Sequence, residues 1–198
     1  MELQDRIIQH FHQSLDLKAH CIEEFGPTIE EAGLLMFQCL IAEGKVLCCG
    51  NGGSAALSQL FCALLLNRYR QERPGLPAMA LNGDATTLSA IAEDSSFSDV
   101  YSKQIRALGQ PGDILLALSP NGRAASLIQA IQAAHDREMT VIALTGNDGG
   151  GMTALLNPDD VEICIGSPSP PLVHEVHLLI IHTLCDLIEF QLFGGMEA

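Results

Sequence analysis

The sequence predicts an α/β fold, a doubly wound parallel sheet layered with helices, and three observations carry that prediction. Short, mostly apolar runs at Lys45–Cys49 (KVLCC), Asp113–Ser119 (DILLALS) and Thr140–Thr145 (TVIALT) lack polar alternation, as strands buried on both faces do. Segments of helical periodicity separate them, which calls for parallel pairing with right-handed crossovers. Each run then opens into a loop rich in glycine, asparagine or proline: CGNGGS, SPNGRA and TGNDGGG.

Taken in order, Leu3, Ile7, Ile8, Phe11, Leu15 and Ile22 recur at helical spacing and predict a helix from Glu2 to about Glu24. Pro27 suits the first position of a second helix, which Gly44 would end. Lys45–Cys49 is the first strand, bounded by Gly50. Gly50, Gly52 and Gly53 let backbone approach backbone or ligand, and Ser54 stands where the N-cap of the following helix is expected. RPGLP is turn chemistry before a short second strand, Ala78–Leu81. The third strand, Asp113–Ser119, leads to a helix over Arg123–Glu138. A fourth strand follows at Thr140–Thr145, then a glycine-rich loop at Gly146–Gly151. Val161–Ile165 reads as a fifth strand, and Pro171 to about Phe193 as a long C-terminal helix. One domain is expected over residues 1–198, with the N-terminal helices offering apolar faces to another subunit.

Composition narrows the function. The chain carries 24 acidic and 10 basic residues, a formal charge of −14, which argues against a surface that binds nucleic acid or anionic lipid. No uninterrupted apolar stretch reaches the length of a membrane span, and MELQDRIIQ resembles no secretory signal, so a cytoplasmic location is expected. Most of the seven cysteines lie in apolar runs, where reduced, buried thiols are expected. Cys48 and Cys49 are neighbours on a strand and point to opposite faces, which excludes them as a chelate.

Sheets of this class bind ligands beyond the carboxyl ends of their strands. Three loops emerge there: Gly50–Ser54, Ser119–Ala124 and Gly146–Gly151. The first two lead into helix starts, whose free N–H groups favour an anion such as phosphate. Neither fits G-x-G-x-x-G or the P-loop, so a nucleotide cofactor has no support.

The motifs CGNGGSA, RYRQERPGLPA, KQIRALGQPGDILLALS, VIALTGNDGGGM and HEVHLLIIHTLCDLIE together resemble the sugar isomerase (SIS) domain family over nearly the whole chain. Within it they are most similar to the phosphoheptose isomerases and their near relatives, the DnaA initiator-associating (DiaA) proteins. The resemblance implies a flavodoxin-like three-layer αβα sandwich with a five-stranded parallel sheet. It also implies a homotetramer with a sugar-phosphate pocket shared between subunits. By that match Asn51, Gly52, Gly53 and Ser54 line the sugar site, with Glu93 and Asp94 nearby, while Ser119 and Asn121 belong to the phosphate loop. Glu175 and His182 fall on matching positions of the last helix, and His174 stands beside them where the pattern has glutamine.

The match breaks where chemistry would be done. A phosphoheptose isomerase moves a proton between neighbouring carbons through an enediol, which needs a positioned base. The family pattern places a glutamate where this chain has Leu64, and a histidine where it has Leu60, one helical turn away on the same face. Those two groups also belong to the family's zinc pattern, so zinc is expected only if the isomerase reading holds. His174, standing for a glutamine, and His182 are all that remain, and eight residues apart on a helix they lie ~80° from alignment. In the phosphate loop, SPNGRA replaces a run of hydroxyl residues: Pro120 lacks an N–H and Ala124 a hydroxyl. Arg123 could compensate by pairing with phosphate.

The DiaA proteins share the missing glutamate and the SAA run found here at Ser54–Ala56. Leu192 and Phe193 match a Leu-Phe pair of their C-terminus, which contributes to tetramer and initiator contacts. The resulting expectation is a non-catalytic, tetrameric, sugar-phosphate-binding protein that contacts the replication initiator DnaA through Leu192 and Phe193. The alternatives are a phosphoheptose isomerase working with a substitute base such as Glu93 or Glu175, with His182 as acid or base, and a sugar-phosphate sensor.

Overall fold

Five parallel strands, β1 (Val46–Gly50), β2 (Ala78–Ala80), β3 (Ile114–Leu118), β4 (Thr140–Gly146) and β5 (Val161–Ile165), form one sheet in the computed structural model, which describes residues 2–194. Their order, β2-β1-β3-β4-β5, is the flavodoxin-like one that the sequence implied. Every residue of β1 and β3 is buried, whereas the edge strand β5 alternates and half-exposes Glu162 and Cys164. Central strands covered on both faces need unbroken apolar runs, and edge strands do not.

Among the described residues seven helices complete the layers: α1 (Leu3–Ile41), α2 (Gly53–Leu66), α3 (Ala85–Asp94), α4 (Ser102–Leu108), α5 (Ala125–Asp136), α6 (Gly150–Thr153) and α7 (Pro170–Phe193). Alternate strand side chains feed two separate cores. Cys48, Leu116, Leu118 and Leu144 pack with α1, α2 and α7 on one face. Leu47, Cys49, Leu115, Val141 and Ala143 pack with α4 and α5 on the other. Each fully buried leucine or isoleucine contributes about 1.5–3 kcal/mol of hydrophobic free energy.

Several expectations need correction. The two expected N-terminal helices are one continuous helix of 39 residues with Pro27 inside it. Pro27 is exposed, and packing on α7 through Cys21, Ile29, Ala32, Gly33 and Met36 carries the helix through the lost hydrogen bond. Gly33 permits that approach, since a Cβ there would lie 2.9 Å from Leu187 Cδ1. Helices α3 and α4 and a 3-10 turn at Phe97–Asp99 occupy the stretch between β2 and β3, to which the sequence reading assigned no element. They are short, and α3 has no buried residue to set a periodicity. The expected loop Gly146–Gly151 runs into α6 at Gly150.

By length and composition α7 could cross a membrane. Ten of its residues are buried in the fold, and its apolar character is spent on the first core. A buried carboxylate anchors its end. Glu189 accepts N–H groups of Tyr69 (2.8 Å), Arg70 (3.1 Å) and Gln71 (3.3 Å), and pairs with Arg73 Nε at 2.8 Å. Arg73 in turn donates to the carbonyls of Leu64 and Leu65, closing the end of α2.

Candidate functional site

The chain order reverses between β1 and β3, so the crevice beyond their carboxyl ends is the topological switch point of the sheet. Two of the expected loops meet there. After β1 the chain turns at Gly52, whose φ of +56° and ψ of −121° suit only glycine, and α2 begins at once. The N-cap is therefore Gly52 and not Ser54, as the sequence suggested. Ser54 lies inside the first turn, fully buried, and its hydroxyl lies 3.2 Å from His174 Nε2.

His174 comes from the start of α7 and covers the glycine turn. A Cβ on Gly53 would fall 2.7 Å from His174 Cε1, so the glycine is what allows the imidazole to lie there. Partial burial pushes the His174 pKa below its ordinary value, favouring the neutral ring. Asn51 is fixed from two sides: its amide donates to Ser126 Oγ at 3.0 Å, and its Oδ1 accepts the Tyr101 hydroxyl at 2.9 Å. The buried Tyr101 hydroxyl also reaches the Gly50 carbonyl at 2.6 Å. This tyrosine, which the sequence reading did not single out, ties the turn to the second core.

The loop after β3 is self-contained. Ser119 Oγ accepts the Gly122 N–H at 3.0 Å, and Asn121 Oδ1 accepts the Arg123 N–H at 3.1 Å. Arg123 itself pairs with Asp148 on the loop after β4. Asp148 titrates below the ordinary carboxylate value: desolvation pushes it up, and the Arg123 guanidinium with an Asn147 hydrogen bond outweighs that. The loops interlock through backbone, because Met152 N donates to the Gly122 carbonyl at 3.1 Å.

Other expected residues lie elsewhere. Glu175 turns away from the glycine turn toward α1, where its carboxylate accepts from Ser14 and from Lys18 (3.3 Å), with His10 at 3.8 Å. The Ser14 hydrogen bond is the main cause holding its pKa low. His182, two turns beyond His174, stacks obliquely on Tyr69 with ring centroids 5.9 Å apart. Glu93 and Asp94 end α3, exposed, and make no hydrogen bond to the turn among the described residues. Leu192 packs against the first core, and Phe193 is 43% exposed.

On α2, Leu60 is exposed and Leu64 half-buried on one face. Among the described residues no three His, Cys, Asp or Glu side chains converge to hold a metal ion. Zinc does not fit this donor set, since two aliphatic side chains stand in it and His174 is engaged by Ser54. His177, one turn along from His174, is fully buried, with Nε2 2.9 Å from the Thr145 carbonyl and Nδ1 unpartnered. Burial, chiefly, lowers its pKa to about 4.

The chain and its fold are similar to those of known proteins. The SIS domain family matches residues 9–146. A phosphoheptose isomerase of Chromohalobacter salexigens is 57% identical over 197 residues, covering all of both chains. Among solved structures, a phosphoheptose isomerase from Francisella tularensis superposes with a TM-score of 0.92 at 41% identity, covering 95% of this chain and 98% of its own. That of Neisseria gonorrhoeae gives 0.89 at 43%, covering 95% and 99%.

Proposed function

Because the chain belongs to the SIS domain family, in its phosphoheptose isomerase subgroup, we propose that it takes a heptose phosphate at the carboxyl ends of β1 and β3 and isomerises it. The observation that carries this reading is the end-to-end likeness, at 57% identity, to a relative named for that reaction. In this reading Asn51, Gly52, Gly53 and Ser54 line the sugar, Ser119 and Asn121 face the phosphate, and Glu93 and Asp94 stand nearby.

The reaction would convert sedoheptulose 7-phosphate to D-glycero-D-manno-heptose 7-phosphate. A proton leaves one carbon, its electron pair forms the enediol, and a proton returns to the neighbouring carbon. With leucine at positions 60 and 64, proton transfer falls to α7, where His174 and His182 are the candidates and Glu175 is held by α1. The test is turnover of sedoheptulose 7-phosphate by the purified protein, lost in His174→Ala or His182→Ala. No turnover, with or without added zinc, overturns the reading.

A second reading, binding without chemistry, is favoured by one observation: Leu60 and Leu64 leave α2 with no acid or base on the face that begins beneath the glycine turn. A sugar-phosphate sensor, or a tetramer that contacts DnaA through Leu192 and Phe193, would fit it. The exposed apolar side chains of α1, Leu3, Ile7, Phe11 and Leu15, support assembly with further copies. Co-purification with DnaA, weakened by Phe193→Ala, is expected; an assembled protein that does not retain DnaA excludes the initiator contact.

A further inference from the structure

We propose that Arg123 is the charged contact for the ligand's phosphate and that Asp148 is its partner only in the empty site, so that binding exchanges one ion pair for another. The assignment rests on the sugar-phosphate reading of the same loops. The three loops leaving β1, β3 and β4 contain a single Lys or Arg, and it is Arg123. In a chain of formal charge −14, a doubly charged phosphate has no other formal positive charge on these loops.

The backbone N–H donors of the β3 loop are largely taken. Ser119 Oγ and Asn121 Oδ1 accept the loop's own N–H groups, and Pro120 has none to give. Ala124 caps the twelve-residue α5 without a side-chain hydrogen bond, and although Leu127 N–H already donates to the Ala124 carbonyl at 3.0 Å, the N–H groups of Ala125 and Ser126 open onto the same loop as Arg123.

The Arg123–Asp148 pair is weak by construction. Its side chains are 59% and 58% exposed, and exposed pairs contribute little. A phosphate held by a guanidinium fork and helix N–H groups competes well against a lone, solvated carboxylate. The exchange needs no backbone movement. Gly122, with φ of +63°, lies so close to the next loop that a Cβ would fall 1.7 Å from the Gly149 carbonyl oxygen, and a Cβ on Gly150 would lie 2.6 Å from that of Asn121. The two loops are one rigid frame, and only the arginine side chain has to turn. Such a device selects phosphorylated sugars over neutral ones.

Calorimetric titration of the full chain with sedoheptulose 7-phosphate, and with unphosphorylated sedoheptulose, tests it. Arg123→Ala is expected to weaken binding of the phosphate ester about tenfold or more. Arg123→Lys should recover part of the loss, and Asp148→Asn should tighten binding severalfold. Wild-type binding that is unchanged in Arg123→Ala overturns the assignment while leaving the sugar-phosphate reading intact. Weaker binding in Asp148→Asn overturns the exchange. A wild-type chain that binds no sedoheptulose 7-phosphate overturns both readings.

Discussion

The Ser54 hydroxyl and His174 Nε2 lie 3.2 Å apart, joining the first turn of α2 to the second turn of α7 across the glycine turn. The contact depends on Gly53, because any Cβ there meets the imidazole at 2.7 Å. Gly53→Ala should therefore expel the ring into solvent. Its pKa should rise toward the ordinary histidine value, as burial is what lowers it, and stability should fall by about 1 kcal/mol. A proton NMR titration of the His174 ring reads the first effect; a pKa that stays low would mean that the ring has not moved.

His177 should make the protein acid-sensitive well above the carboxylate range. Its folded pKa of about 4 lies below the unfolded value near 6.5, so the unfolded chain takes up the proton first. The stabilisation is complete above the unfolded value and is lost as pH falls from there to about 4, by roughly 3 kcal/mol. Urea midpoints at pH 7, 6 and 5 would follow it. His177→Gln, which can still donate to the Thr145 carbonyl, should flatten that slope.

Breaking the Glu189–Arg73 pair should be costly. Both side chains are almost wholly buried, at 5% and 1% exposure, and removing one partner strands the other charge at about 3–5 kcal/mol. In Glu189→Ala the N–H groups of Tyr69, Arg70 and Gln71 also lose their acceptor. A large fall in melting temperature is expected, with Tyr69 released from His182. Arg73→Ala should fall by a similar amount, and the double variant by less than the sum.

Restoring the two polar groups on α2 should show whether the rest of the site is intact. The double variant Leu60→His, Leu64→Glu should bind zinc more tightly than the parent and raise turnover of sedoheptulose 7-phosphate. Leu64 packs partly on the first core, so a charged group there should cost about 1–3 kcal/mol of stability. Equilibrium dialysis with zinc and a coupled isomerase assay give the two readouts. A folded variant with neither gain would place the defect elsewhere in the site.

The strands were legible because two covered faces demand apolar runs, and the boundaries read for β3, β4 and β5 differ from the observed ones by a residue at most. The glycine turn was legible as a turn but not in its capping, since Gly52 and Ser54 differ only in which peptide turns over. Pro27 misled because a proline break is a local rule, and the long contact of α1 with α7 overrides it. At the site, side-chain direction was the missing information. His174 and Glu175 are adjacent in sequence, yet a helix turns them about 100° apart, one onto the glycine turn and the other onto α1. Tyr101 offered no signal beyond being a tyrosine, and its role depends on α4, which the sequence did not reveal.

Cys48 and Cys49, side by side on β1, are embedded in different cores. Each thiol is sealed by its own set of helices, and both are fully buried. The pair is thus a built-in double reporter: alkylation of Cys48 requires the α1, α2 and α7 layer to lift, and alkylation of Cys49 requires the α4 and α5 layer to do so. If the two react at equal rates, the domain opens as one unit. Unequal rates would say which side of the sheet comes away first.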